Sequence, residues 1–230
     1  MSDVLISGAS TGIGEATALH LSGLGHRVFA GVRRAEDGER LIAEGGERVV
    51  PVRLDVTDDE QVAAALGEVA ETTGGRLDGV VNNAGIAVGG PLEFLPLGDF
   101  RRQFDVNVTG LIAVTQAALP LLRRTKGRVV LIGSMNGRIA VPMTGAYSAS
   151  KYAVEAIADT LRLELAPWGL HVSLLQPGAV KTPIWDKGRR QADEMHEKYP
   201  PEALDLYRDG IERVVEGIEQ QDEAGIPPME

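Results

Sequence analysis

Short aliphatic runs punctuate the chain, separated by longer stretches in which apolar positions return every three or four residues. Residues 4–7, 28–30, 49–54, 79–81, 128–132 and 171–175 are of the first kind. They are almost continuously apolar rather than alternating, as strands are when both sheet faces are covered. Residues 14–24, 59–71, 100–122 and 149–166 carry the helical period. Thr57, with Glu60 three residues on, reads as a capping box opening the second of these helices. Repeated strand–helix–strand units imply parallel strands joined by right-handed crossovers. The pattern therefore predicts an α/β chain with three layers (helices, a doubly wound parallel sheet of six strands, helices). Residues 1–230 read as a single domain without repeats, linkers or low-complexity tracts.

Composition narrows the classes. The 230 residues suffice to bury a sizeable core. A net charge of −10 argues against nucleic acid or an anionic membrane as partner. The absence of cysteine excludes disulfides, thiolate metal sites and a cysteine nucleophile. His20, His26, His171 and His196 show no ligand spacing, so no metal is expected. Asp3 leads straight into a strand, with no leader pattern, and no apolar stretch reaches the roughly 20 residues that span a bilayer. A cytoplasmic protein is the expectation.

A doubly wound sheet binds ligands beyond the carboxyl ends of its strands. The first strand runs into Gly8-Ala9-Ser10-Thr11-Gly12-Ile13-Gly14, and a helix follows. Such a turn offers bare backbone N–H groups and a helix N-terminus to a pyrophosphate. A tight connection without ligand has the same look. So does a nucleophile elbow, since Gly8-Ala9-Ser10-Thr11-Gly12 fits Gly-x-Ser-x-Gly. A serine hydrolase using Ser10 would need a later histidine, yet His171 lies in a strand and His196 in a charged run. After the second strand come Val32, Arg33 and Arg34, where an acidic residue would accept from a ribose hydroxyl. A guanidinium suits a 2′-phosphate instead. The expectation is NADP(H), read by Arg33 with help from Arg34, with NAD(H) as the alternative.

Tyr147 and Lys151 stand four residues apart and share a helix face. A free phenol titrates near 10, too high for acid–base work at neutral pH, and a nearby ammonium lowers that value. Ser134 closes the fifth strand, where its hydroxyl can reach a substrate oxygen or simply cap the strand end. Asn107 sits inside a helical segment where asparagine is a poor fit, so either its side chain or a local bulge has a task or it simply makes a polar contact in the core.

Together these motifs resemble the short-chain dehydrogenase/reductase family over nearly the whole chain. The glycine turn is similar to the family's cofactor turn, with contacts from Gly8, Ser10, Thr11, Gly12, Ile13 and Gly14. Leu54-Asp55-Val56 is similar to its adenine-side motif, with Asp55 facing the base and Val56 beside it. Asn82-Asn83-Ala84-Gly85 resembles the motif that steadies sheet and cofactor. Pro177-Gly178-Ala179-Val180-Lys181-Thr182 resembles the turn that holds the nicotinamide carboxamide, with Val180 and Thr182 in contact. Asn107, Ser134, Tyr147 and Lys151 match the catalytic four. The resemblance implies a Rossmann-type fold and hydride exchange between a nicotinamide and a ketone or aldehyde and its alcohol. In that scheme Ser134 polarises the carbonyl and Tyr147 donates the proton. Lys151 lowers the tyrosine's pKa and holds the ribose, and Asn107 anchors a relay water.

Residues 28–34 look most like the 17β-hydroxysteroid and retinol dehydrogenase branch. That implies a bulky apolar substrate (steroid-, retinoid- or quinone-like) lined by Ile86, Met135, Met143, Pro177 and Trp185, though these also read as ordinary core or loop apolars. Residues 182–200 fall where the family has its substrate lid, but they are polar and charged beyond Trp185. The family's usual last helix and seventh strand are not visible after Gly225-Ile226-Pro227-Pro228. Helices 100–122 and 149–166 match the family's usual pairing face, implying a homodimer or homotetramer. A dinucleotide-binding regulator without turnover is the other reading of the same fold.

Overall fold

The computed structural model describes residues 1–184, 186, 190 and 199–228. Strands β1 (Asp3–Ser7), β2 (Arg27–Val32), β3 (Val49–Arg53), β4 (Gly79–Asn82), β5 (Arg128–Ile132) and β6 (His171–Leu175) form one parallel sheet. Their order is β3-β2-β1-β4-β5-β6. Around it lie α1 (Gly12–Gly23), α2 (Ala35–Gly45), α3 (Asp59–Thr73), α4 (Leu97–Phe104), α5 (Gly110–Arg123), α6 (Gly145–Leu165) and α7 (Pro201–Ala224).

The unbroken apolar strands are explained by two cores. Successive side chains point to opposite sheet faces. Leu5, Phe29, Val80, Val129 and Leu131 pack with Val69 of α3, Val114 and Leu122 of α5, and Val154 of α6. Their neighbours Ile6, Val28, Ala30, Val81 and Ile132 pack with Ala18 of α1 and Leu41 of α2. The strand order reverses between β1 and β4, where Ser7 pairs with Asn82. Connections leave these two carboxyl ends in opposite directions, which opens a crevice between them.

Several expectations need correction. The helix expected over 100–122 is interrupted: α4 passes into a π-turn at Asp105–Thr109 and then into α5. Asn107 sits within that turn. Thr57 does not cap α3. Asp58 does, accepting from the amides of Glu60 (3.1 Å) and Gln61 (3.0 Å), while the Thr57 hydroxyl turns to Asp55 (2.7 Å). A carboxylate directly before the first turn is the stronger acceptor, so it takes the free amides. Helices α2 and α7 were not expected from the pattern, and α6 starts at Gly145, which places Tyr147 in its first turn. By length and composition alone, residues 97–123 are helical and apolar enough to cross a membrane, with mean hydropathy 1.3. In the fold this stretch supplies Leu111, Val114, Ala118 and Leu122 to the core. Among the described residues there is no seventh strand; Ile226 makes one bridge to Val180.

Candidate active site

The glycine turn lies on the floor of the crevice. Gly8 and Gly12 both have positive φ. At Gly14 a Cβ would stand 2.3 Å from Asn83 Nδ2 and 2.4 Å from the Gly8 carbonyl, so only a bare backbone fits. Asn83 Nδ2 donates to the carbonyls of Ser7 (3.1 Å) and Gly8 (2.8 Å). Ser7 Oγ accepts from the amides of Asn83 and Ala84, both at 3.1 Å. The residues after β4 thus lace that strand to the turn after β1. Thr11 precedes α1 without capping it through its side chain. The first-turn amides of α1 therefore keep donors free for an anion. This cradle fits a dinucleotide pyrophosphate. Thr182 closes it from the far side, its methyl 3.0 Å from where a Gly12 Cβ would be.

Three charged residues of the unexpected α2 and its approach brace the turn. Arg40 Nη2 donates to the Ser10 carbonyl (2.6 Å), and Arg40 pairs with Glu15. Asp37 accepts from Arg34 Nε (3.0 Å) and Nη2 (2.9 Å) and also bonds the Ser10 side chain. The Arg34 guanidinium holds the Asp37 carboxyl below the usual carboxylate range. Ser10 therefore serves the turn's own bracing. His20, His26 and His171 lie away from it, His26 accepting from the Ser2 amide and His171 opening β6 at the sheet's opposite edge; His196 lies outside the described residues. That removes support for a serine hydrolase. Arg33 is exposed and has no ion pair among the described residues, unlike Arg34. Asp55 closes its own turn by accepting from Thr57, and Val56 is buried against Gly110.

Ser134, Tyr147 and Lys151 meet at the carboxyl end of β5. Ser134 is buried, accepts from the Asn136 amide (3.1 Å) and lies close enough to the Tyr147 phenol to favour its ionised form. One turn along α6, Lys151 Nζ lies 5.7 Å from the centre of the Tyr147 ring. It donates to the Ile132 carbonyl at 2.8 Å. Burial lowers the ammonium from 10.5 to about 8. Burial also pushes the Tyr147 phenol above its ordinary 10, partly offset by Ser134. The expected acidic phenol is therefore not a property of the chain alone. Desolvation disfavours both charged forms, and at Tyr147 it outweighs the help of Ser134.

Asn107 uses its whole amide. Its Oδ1 accepts from the Ile86 amide (2.9 Å), and its Nδ2 donates to the Ile86 carbonyl (3.0 Å) and Ser150 Oγ (3.1 Å). Gln103 does the same beside it, accepting from Val88 N (2.7 Å) and donating to Ile86 O (2.8 Å). These two amides hold residues 86–88 as a strand neighbour would. The role of the π-turn is to aim Asn107 there.

Of the residues expected to line a substrate, Ile86 packs with Val88, Leu95 and Phe100. Met135 is 47% exposed and lies over Gly178, and its amide donates to the Pro177 carbonyl (3.2 Å). Met143 is buried at positive φ, its methyl against Gly210 of α7 and its carbonyl accepting from Gly90 (2.7 Å). Trp185 and most of residues 182–200 lie outside the described residues. Val180 bridges to Ile226. Ser7, Asp37, Arg40, Gln103, Ser150 and Glu155 escaped the sequence reading. Apart from the half-exposed Arg40 these are buried polar residues, which a sequence pattern does not distinguish from surface ones. Among the described residues no cluster of metal-ligating side chains occurs.

A family model described as short chain dehydrogenase matches residues 2–193. A 3-amino-tetrahydro-pyrrolizinone reductase of Xenorhabdus hominickii is 43% identical over 80% of this chain and 63% of its own length. Retinol dehydrogenase 7 of Rattus norvegicus is 38% identical, over 92% and 70% respectively. The chain thus spans 63–70% of these two relatives. An alcohol dehydrogenase from Thermococcus sibiricus, solved with 5-hydroxy-NADP, superposes with a TM-score of 0.75 at 32% identity, covering 80% of this chain and 79% of that one. A 3-ketoacyl-(acyl-carrier-protein) reductase from Brucella melitensis, solved with NADH, gives 0.78 at 28% identity, covering 84% and 82%. With the parallel sheet, the glycine cradle and the Ser134–Tyr147–Lys151 cluster in their order, these likenesses place the chain in the short-chain dehydrogenase/reductase family.

Proposed function

We propose that this protein interconverts a ketone or aldehyde and the corresponding alcohol with NADP(H), using Tyr147 as the proton-transfer group. The observation that carries the reading is the convergence of Ser134, Tyr147 and Lys151 at the end of β5, beside the glycine cradle. Gly8 to Gly14 would hold the pyrophosphate, and residues 177–182 the nicotinamide end. When bound, the nicotinamide supplies or accepts a hydride at C4.

The chain's own groups manage the proton. Ser134 donates to the substrate oxygen and fixes it against the phenol. Tyr147 releases its proton to that oxygen during reduction and takes it back during oxidation. Ser134 and the Lys151 ammonium stabilise the resulting phenolate. Burial brings the Lys151 ammonium down to about 8, so it can give up a proton far more readily than a free lysine and pass one on to Tyr147. Asn107 stands between this lysine's helix and residue 86, where the π-turn can seat a water for relay. The test is NADPH consumption against ketones, aldehydes, steroids and quinones. Tight dinucleotide binding with no turnover on any of them would favour the regulator reading. The apolar Met135 and Ile86, and the retinol dehydrogenase among the relatives, support a bulky apolar substrate.

Arg33 is the guanidinium left free to take a 2′-phosphate, because Arg34 is held by Asp37. Replacing Arg33 by alanine is expected to weaken NADPH by about 10- to 100-fold, the worth of charged hydrogen bonds, while NADH changes little. Matched titrations decide it; equal affinities of the unaltered protein for both cofactors would remove the preference.

A homodimer is proposed through α5 and α6. Ile112, Leu119, Ile157, Leu161 and Trp168 line a groove between these helices. Light scattering should report about twice 24.5 kDa. Thr160→Arg, in the same groove, should give the single chain. A monomeric wild-type protein would remove the dimer.

A further inference from the structure

Glu155 is a buried carboxylate for which the reaction has no direct use. It lies one turn beyond Lys151 on α6 and is 6% exposed. Two segments reach it from different strands. Gln176, directly after β6, donates from Nε2 to its Oε1 at 2.5 Å. Arg138, four residues after Ser134, places Nη2 2.8 Å from Oε2, at an angle that makes an ion pair rather than a hydrogen bond. Gly137 approaches so closely that a Cβ would stand 2.9 Å from Oε1 and 3.1 Å from the Lys151 carbonyl. The same short helical turn begins at Ser134, whose carbonyl accepts from the Gly137 amide (2.9 Å). The Met135 amide then ties this turn to Pro177.

A buried charge is costly unless paired, so an ion at this position has to be satisfied by whatever packs around it. Here both partners come from the loops that carry the chemistry. The one from β5 positions Ser134, and the one from β6 opens the 177–182 turn. The helix beneath them carries Tyr147 and Lys151. An apolar residue at 155 would pack these elements together without setting their register. A carboxylate with one directional hydrogen bond, from Gln176, and one ion pair, with Arg138, does set it.

We propose that Glu155 is a positioning residue: through Arg138 and Gln176 it sets the Ser134 loop and the 177–182 turn against Tyr147 and Lys151. This rests on the reading of the crevice as a nicotinamide dinucleotide site. Misplacement at that end should affect the nicotinamide half of the cofactor and leave the adenosine half, held by Gly8 to Gly14 and Arg33, alone.

The experiment compares NADPH with 2′,5′-ADP, a fragment lacking the nicotinamide, in wild type and Glu155→Gln. Turnover is measured alongside. The substitution keeps size and removes charge. NADPH affinity and kcat should each fall about 10-fold, because a small displacement of reacting groups is costly. Binding of 2′,5′-ADP should stay within about twofold, since distant sites act independently. Equal loss for both ligands, or wild-type values for both, would overturn the proposal. If Glu155→Gln does not fold, Arg138→Met and Gln176→Met decide in its place. They remove the partners from the exposed side and should give the same split; unchanged NADPH affinity and kcat in both would overturn the proposal. A wild-type protein that binds neither NADPH nor NADH takes the functional reading down with the inference.

Discussion

Tyr147→Phe is expected to lower turnover by about 10³-fold, within the range that positioned acid–base groups contribute. NADPH affinity should change little, because the role proposed for the phenol is proton transfer and the cradle from Gly8 to Gly14 is untouched. The variant loses one oxygen. Ser134 keeps its other partner, the Asn136 amide, so the local fold has reason to persist. The cost in stability should be about 1 kcal/mol, the net worth of one hydrogen bond. In the direction of alcohol oxidation the phenolate is the base, and the phenol lies above 10 in the chain alone. A positively charged nicotinamide nearby lowers it. Wild-type oxidation should therefore rise with pH from neutral into the alkaline range, and the residual rate of the variant should lack that rise. The measurement is kcat against pH, with cofactor affinity measured separately by fluorescence. A Phe variant with near-normal turnover would end the proposed role for Tyr147.

The sheet was legible because burial on both faces leaves a plain mark: Leu5 and Ile6 must both be apolar although they point opposite ways. The glycine turn and the Tyr147–Lys151 pair were legible for a related reason. Their chemistry is local, set by spacing within one turn or one helix. What the sequence hid is what depends on distant partners. Helix α2 is only 11 residues long and buries one large apolar side chain, Leu41, so it drew no notice, yet a parallel β2–β3 crossover requires an element there. With α2 went Arg40, which reaches Ser10 across 30 positions. Asn107 shows an intermediate case. Its residue type marked it as misplaced in a helix, and the π-turn explains it, but its partner Ile86 could not be read from spacing. The phenol's environment could not be read either. Two residues at helical spacing suggest mutual help, whereas the burial that raises the phenol depends on the whole site.

Lys151→Met should separate stability from function in a way no other substitution here does. Turnover should fall by at least about 10²-fold, since the phenolate loses its cationic neighbour and its route for proton return. The stability of the variant without cofactor should nonetheless depend less on pH than that of wild type. An unfolded lysine titrates near 10.5, and the folded one at about 8. Between those values the unfolded chain binds more protons, so wild-type stability must rise with pH. Below about pH 8 the fold carries a buried ammonium at full cost. Raising pH from 7 to 10 should therefore stabilise wild type by roughly 2 kcal/mol at this site. Above pH 10 the gain is opposed by Tyr147, which keeps its proton in the fold while the unfolded phenol ionises. The methionine variant removes the lysine contribution, so its stability should vary by that much less over the same window. At pH 7 it escapes the ammonium's burial, but it leaves the Ile132 carbonyl without its 2.8 Å donor. That lost bond offsets about 1–3 kcal/mol of the gain. The net change at pH 7 is thus small, and the pH dependence is the decisive quantity. Urea unfolding of both proteins at pH 7, 8, 9 and 10 measures it directly. Parallel stability curves would mean that Lys151 titrates normally and reaches solvent, which would remove the buried proton relay proposed for it.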